Sequence, residues 1–221
     1  PELEVGLGRE GRRITLRSRL VETEEGTPAL DPNSVVVASG GARGVTAAAL
    51  LELTRTFRCS MVLLGRTELR EEPPCCAGIS DDAGLKRSLL ERAKHAGKSV
   101  SPAQLGAEAS NILAMREIRA TLAAMEAVGS RARYVSVNVQ DSTAVSRALD
   151  TVRNEWGPIT ALVHGAGVLA DRWIAEKTRD QFDRVFDTKV LGLQALLDAT
   201  ADDALTLLCL FSSVAARSGN S

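Results

Sequence analysis

Residues 34–51 read SVVVASGGARGVTAAALL, and the order of residue types along them sets the architecture of the chain. Ser34, Val35, Val36, Val37 and Ala38 form a short, β-branched run that is apolar without alternation, as a parallel strand buried on both faces must be. Gly40, Gly41 and Gly44 follow at once, and Ala47 to Leu53 reads as a helix. A strand, a glycine-rich turn and a helix in that order let the backbone double back and approach a pyrophosphate. The unpaired N–H groups at the helix N-terminus favour that negative charge. The glycines alone are weak evidence; the strand before them and the helix after them make dinucleotide binding the reading.

Outward from this turn the chain alternates strands with helices. Cys59–Leu64 reads as a second strand, Arg133–Val137 as a third, Ile159–His164 as a fourth and Leu205–Phe211 as a fifth. The helical spacing is clearest over Ala144–Glu155, where Val145, Leu149 and Val152 share a face. It is also clear over Arg179–Leu197, where Phe182, Val185, Phe186, Leu193 and Leu196 recur. Such alternation predicts an α/β fold of the Rossmann type, a doubly wound parallel sheet with right-handed crossovers.

Composition narrows the function classes. The 221 residues are 44% hydrophobic and 25% charged, an ordinary balance for one large globular domain. A net charge of −1 gives no field for nucleic acid. No apolar run approaches the ~18 residues of a membrane span. PELEVGLGREGRR at the start has no signal-peptide core. Cys59, Cys75, Cys76 and Cys209 have neither metal-ligand spacing nor a disulfide framework, so no metal is expected and a reducing cytoplasm is the expected compartment.

Two segments break the rhythm. Residues 1–33 end in the polar stretch VETEEGTPALDPNS and read as an upstream edge strand or domain tail plus linker, as if cut from a longer polypeptide. Residues 67–131 exceed a simple crossover. They hold a Pro-Pro-Cys-Cys break and candidate helices over Gly84–Ala96 and Pro102–Val128, so they read as a helical insertion after the second strand.

Residues at the strand ends refine the chemistry. Gly65-Arg66 closes the second strand with a cation where an NAD-selective domain commonly places an acid for the ribose 2′-hydroxyl. A guanidinium can pair with a 2′-phosphate, which favours NADPH. Asn138-Val139-Gln140-Asp141 closes the third strand, and Asp141 reads either as an acceptor for the adenine amino group or as a helix N-cap. His164-Gly165-Ala166-Gly167 closes the fourth strand where the sheet meets the cofactor, with His164 read as a hydrogen-bonded structural histidine.

With these motifs in place the chain resembles the short-chain dehydrogenase/reductase superfamily, and within it the ketoreductase domains of polyketide and fatty-acid synthases. The resemblance spans residues 34–221. Ser39-Gly40-Gly41-Ala42-Arg43-Gly44-Val45 matches the nucleotide turn, Leu64-Gly65-Arg66 the NADP-selecting strand end, and His164-Gly165-Ala166-Gly167-Val168 the cofactor-side glycine pair. Lys189-Val190-Leu191-Gly192 and Phe211-Ser212-Ser213 match the catalytic lysine and serine segments. SGGARGVTA, LLGRTELREEPP, NILAMREI and HGAGVLAD look most like ketoreductases of polyunsaturated fatty-acid synthases, with those of enediyne-type and glycolipid synthases close behind. Thr46 departs from the pattern, standing where the usual nucleotide turn has its last glycine.

The resemblance implies a strand order of 3-2-1-4-5 and an NADPH-dependent β-ketoacyl reductase of a multidomain synthase. Its substrate would be a 3-ketoacyl group on the phosphopantetheine of an acyl carrier protein, and its partners the other domains of the synthase. It implies a catalytic tyrosine whose anion Lys189 stabilises and a substrate hydrogen bond from Ser213. Leu169-Ala170-Asp171 resembles the Leu-Asp-Asp motif of ketoreductases that give the D-configured hydroxyl, with only the final aspartate retained. The family's tyrosine falls just past Ser221, so the unit is expected to be incomplete at its C-terminus and inactive alone. A free-standing short-chain dehydrogenase on a small alcohol or CoA ester, and a non-catalytic Rossmann scaffold, are the rival expectations.

Overall fold

The computed structural model of the chain describes residues 6–15, 19–21, 26 and 29–213. Near the N-terminus β1 (Gly6–Leu7) pairs with β2 (Arg13–Ile14) in a two-stranded antiparallel sheet of its own. Of the edge strand expected upstream, this short pair is what the described residues show, and it stays outside the main sheet. The linker's end is fastened to the domain: Leu30 is buried in the main core, and the Ala29 carbonyl accepts the Thr206 hydroxyl at 2.7 Å.

The main sheet has five parallel strands, β3 (Val35–Ser39), β4 (Ser60–Gly65), β5 (Ala132–Ser136), β6 (Ala161–His164) and β7 (Leu207–Leu210), in the order β5-β4-β3-β6-β7. Counting main-sheet strands alone, this is the expected 3-2-1-4-5. Strand side chains alternate between two buried faces. Val36, Ala38, Met61, Leu63, Ala161 and Val163 pack on one side; Val35, Val37, Val62, Leu64 and Leu162 pack on the other. Covering a sheet on both sides needs helices on both, which is why β3 reads as uninterrupted apolar sequence. α1 (Gly44–Phe57) and the C-terminal half of α3 (Pro102–Ala127) cover the first face through Leu50, Ile118 and Met125. α4 (Ser142–Trp156) and α5 (Arg179–Ala199) cover the second through Val145, Leu149, Val152 and Leu196.

Residues 67–131 divide into two parts. α2 (Asp82–His95) and the N-terminal half of α3 build a small core of their own from Cys76, Leu85, Leu89, Ala109, Ile112 and Met115. The C-terminal half of α3 packs on the main sheet, so this one helix joins the small core to the large one. An ion pair locks it: Arg116 Nε donates to Glu72 at 2.8 Å, its Nη2 reaches the other carboxylate oxygen, and the carbonyls of Cys76 and Ile79 each accept a further donor. α3 starts with a reciprocal cap, in which Gln104 N–H donates to Ser101 Oγ at 3.2 Å and Ser101 N–H to Gln104 at 2.8 Å, with Pro102 as first helical residue.

Candidate active site

Strand order reverses around β3, and a doubly wound sheet opens a crevice at the C-terminal ends of its strands at that reversal. A cleft of about 550 Å3 lies there. Gly40, Ala42 and Arg43 line it after β3, Gly65 and Arg66 at the end of β4, Asn138 and Val139 after β5, and Ala166 and Gly167 after β6. Most of the residues expected to bind the cofactor are thus brought to one crevice.

The ladders that build the sheet continue into these loops. Gly40 N–H donates to the Leu64 carbonyl at 2.8 Å, Val137 N–H to Gly65 at 2.7 Å, and Gly165 N–H to Ser39 at 2.9 Å. Two positions of the turn after β3 have no room for a side chain. Gly40 has φ +67°, and a Cβ there would sit 2.6 Å from the Ala166 Cα. At Gly41 a Cβ would sit 2.4 Å from a Leu50 methyl. Thr46, the departure from the family pattern, is accommodated from the other side. A Cβ on Gly165 would sit 2.6 Å from Thr46 Cγ2, so the missing glycine on α1 is matched by a glycine after β6.

Ser39 and His164 form a buried pair. Their Oγ and Nδ1 lie 2.7 Å apart, and the Ala166 N–H approaches Ser39 Oγ at 3.4 Å. His164 Nε2 has no hydrogen-bond partner among the described residues. Burial, and then the neighbouring Lys189 charge, push the imidazole pKa below its usual value, against the nearby backbone of Lys189 and Thr188. The pair ties the loop after β6 to the end of β3. Both side chains are buried behind the cleft surface.

α5 delivers Lys189. Gly192 sits where a Cβ would lie 2.9 Å from a Val139 methyl and 3.3 Å from His164, so a bare backbone lets the helix approach the strand ends. Lys189 Nζ then donates to the Phe211 carbonyl at 3.0 Å, just past β7. It also stands 3.6 Å from the position a Gly167 Cβ would take, beside the loop after β6. Burial lowers the lysine's pKa. Lys189 is therefore brought to the segment that carries Ser213 and to the glycine pair beyond β6. Residues 214–221 lie outside the described residues.

Other expected residues are placed differently. Asp141 caps α4, accepting the Ala144 N–H at 2.9 Å, and is absent from the cleft lining. Val45 is 81% exposed on the first turn of α1. Leu169 is exposed with its carbonyl held by Arg184 Nη2 at 3.1 Å. Asp171 is exposed and precedes a single 3-10 turn (Ile174–Glu176) whose N-cap is Trp173.

Sequence reasoning missed several lining residues. Asn111 and Ile118 reach the cleft from α3, seven positions and about two helical turns apart. Nothing in a sequence pattern says that this helix borders the cleft. Thr67, Tyr134 and Thr188 also line it. Glu117, beside Ile118, accepts the Gly44 N–H at 2.8 Å and Arg43 Nε at 3.0 Å. Arg66 makes no ion pair among the described residues.

Among described residues no cluster of His, Cys, Asp or Glu could hold a metal ion, and no helix is long and apolar enough to cross a membrane.

Comparison with known proteins gives the geometry its family. The chain is 37% identical over 227 residues to the A subunit of the polyunsaturated fatty acid synthase of Thraustochytrium sp., covering 98% of this chain and 8% of that protein. It is 28% identical over 187 residues to polyketide synthase PksL of Bacillus subtilis, covering 83% of this chain and 3% of that protein. The chain thus spans less than a tenth of these relatives. A ketoreductase domain from the bacillaene assembly line superposes with a TM-score of 0.62 at 21% identity, covering 95% of this chain and 38% of that one. A short-chain dehydrogenase from Burkholderia cenocepacia in complex with NADP superposes at 0.57 and 18% identity, covering 88% and 61%. The fold is thus that of the short-chain dehydrogenases, and residues 34–221 match the model of the KR domain, the family to which this chain belongs.

Proposed function

We propose that this chain is the β-ketoacyl reductase unit of a multidomain polyketide or polyunsaturated fatty-acid synthase. It binds NADPH and reduces a 3-ketoacyl group on the phosphopantetheine of an acyl carrier protein to the 3-hydroxyacyl group. The observation that carries this reading is the half-buried Lys189 ammonium, fixed at 3.0 Å on the Phe211 carbonyl beside Gly167, at one end of a glycine-walled cleft. The 37% identity to a polyunsaturated fatty acid synthase subunit supports the synthase setting.

The cleft's residues fit a phosphorylated dinucleotide. Its glycines leave a cradle that a Cβ would fill, and the start of α1 offers N–H donors. Arg66 offers a guanidinium free of ion pairs among the described residues, with no acid in the cleft lining to hold a ribose 2′-hydroxyl. When bound, the reduced nicotinamide supplies a hydride for the keto carbon. Gly167 leaves the space beside Lys189 free of a side chain. Ser213 would donate a hydrogen bond to the keto oxygen as it gains charge. Lys189 holds a positive charge where water screens it poorly, and its lowered pKa is the cost of that placement. Such a charge stabilises an adjacent phenolate, turning a phenol of ordinary pKa near 10 into a proton donor competent at neutral pH.

The test uses the synthase polypeptide with a 3-ketoacyl thioester on its carrier protein, following loss of NADPH absorbance and the configuration of the alcohol. NADPH-dependent formation of the D-3-hydroxyacyl product is expected, from the resemblance of Leu169-Ala170-Asp171 to the Leu-Asp-Asp motif. Carrier-independent oxidation of simple alcohols in preference would favour a free-standing dehydrogenase, and binding without turnover a scaffold.

A further inference from the structure

The turn that reads as the phosphate cradle already holds an anion. Glu117 Oε1 accepts the Gly44 N–H at 2.8 Å, and Oε2 accepts Arg43 Nε at 3.0 Å. Arg43 is the N-cap of α1 and gives that helix no side-chain cap, so the start of α1 takes its acceptor from α3, more than seventy residues away in sequence. The two donors are a helix N-terminal N–H and a guanidinium, which is what a nucleotide phosphate requires. A phosphate and a carboxylate cannot share them, because their charges repel. The Gly44 N–H, and then Arg43, hold the Glu117 carboxyl below the usual carboxylate range, so it is ionised near neutral pH. Side chains of the pair are about half exposed, 51% and 46%, so the contact sits in water and is weak enough to open. Asn111 and Ile118 of the same helix line the same cleft, which places the rest of α3 where a bound nucleotide would touch it.

Resting on the reading of this cleft as a nucleotide site, we propose that Glu117 is an internal stand-in for a nucleotide phosphate. Binding expels its carboxylate from Arg43 and Gly44 and thereby couples occupancy of the cleft to α3 and the helical unit it carries. The acid is then a built-in competitor. It keeps the turn satisfied when the cleft is empty and lowers affinity for the cofactor.

Titration of NADPH and of NADH against wild type, Glu117→Gln, Glu117→Ala and the control Glu126→Gln tests this, with melting temperatures showing that each variant folds. Glu126 is an exposed acid further along the same helix and has the same formal charge. Both Glu117 variants should bind NADPH about three- to tenfold tighter, the size of a weak exposed pair relieved. Glu126→Gln should match wild type, and in an Arg43→Ala background the gain from Glu117→Gln should shrink. A gain confined to NADPH assigns the 2′-phosphate; a gain for both cofactors assigns the pyrophosphate. Unchanged or weaker NADPH binding by a folded Glu117→Gln overturns the stand-in and leaves the cofactor reading intact. If folded wild type and variants bind neither cofactor, the nucleotide reading falls and this inference with it.

Discussion

Single residues separate what the sequence could say from what only the fold could. The glycines at 40 and 41 are legible because a turn that admits no Cβ must be spelled with glycine, and the structure leaves 2.6 Å and 2.4 Å where those atoms would go. The exchange between Thr46 and Gly165 was not legible, since the partners are over a hundred positions apart and meet only when β6 lies beside β3. That contact predicts a rescue. Gly165→Ala should strain the stiff, branched Thr46 side chain and lower the melting temperature by several degrees, corresponding to about 1–3 kcal/mol of overpacking. Thr46→Ala removes the clashing atoms, so the Thr46→Ala/Gly165→Ala double variant should recover most of the loss. Additive losses in thermal melts would show that the two do not share one space. The proposed cofactor choice rests on one residue. Arg66 lines the cleft with no acid in that lining, so Arg66→Asp should weaken NADPH binding by several kcal/mol and NADH far less, since only NADPH has the phosphate that the new carboxylate repels. Equal losses for both cofactors in a titration would remove Arg66 from the assignment.

At the scale of elements, helices and strands were found where their periodicity is strong, and their ends drifted where the apolar run and the strand do not coincide. The fourth strand reads from Ile159 in sequence but begins at Ala161. Thr160 is already anchored by its N–H to the Val35 carbonyl at 3.0 Å, so the ladder starts one residue before the strand geometry does. The length of residues 67–131 was legible and their division was opaque, because α3 serves two cores along one continuous helix. Its lock carries a pH prediction. The Arg116 guanidinium holds the Glu72 carboxyl below the usual carboxylate range. A carboxyl with a lower pKa in the folded state binds fewer protons there than when unfolded. Its contribution is therefore present above the unfolded value near 4.3 and is lost as pH falls through the lower folded value. Both side chains are more than two-thirds buried, 20% and 28% exposed, so solvent screens the pair only in part. Glu72→Gln should cost about 1–2 kcal/mol at neutral pH and flatten the acid limb of a melting-temperature profile. An unchanged acid limb in the variant would place that pH sensitivity elsewhere.

At the scale of the whole molecule, the sheet order fixes which groups can act together. The sequence holds one tyrosine, Tyr134, and β5 carries it at one edge of the sheet while β7 and the Lys189 contact lie at the other. Burial raises the Tyr134 phenol above its usual pKa, against hydrogen bonds from Thr67, and Tyr134 packs against Gly65 at the Arg66 end of the cleft. A proton donor for a ketone must stand beside the charge that tunes it, and Tyr134 stands across the sheet from that charge. Residues 1–221 alone should therefore bind NADPH yet reduce a β-keto thioester negligibly. A synthase polypeptide that sets a phenol beside Lys189 should reduce it. In that polypeptide Lys189→Ala and Ser213→Ala should each cut turnover by about 10²–10⁴-fold, the range for lost acid–base or oxyanion support. Tyr134→Phe should leave the chemical step unchanged, because the phenol it removes touches the cofactor end of the cleft and not the reacting end. Single-turnover rates separate the two cases. A slow chemical step in Tyr134→Phe, or an unchanged one in Lys189→Ala, would move the proton donor to the wrong edge of the sheet and overturn the assignment.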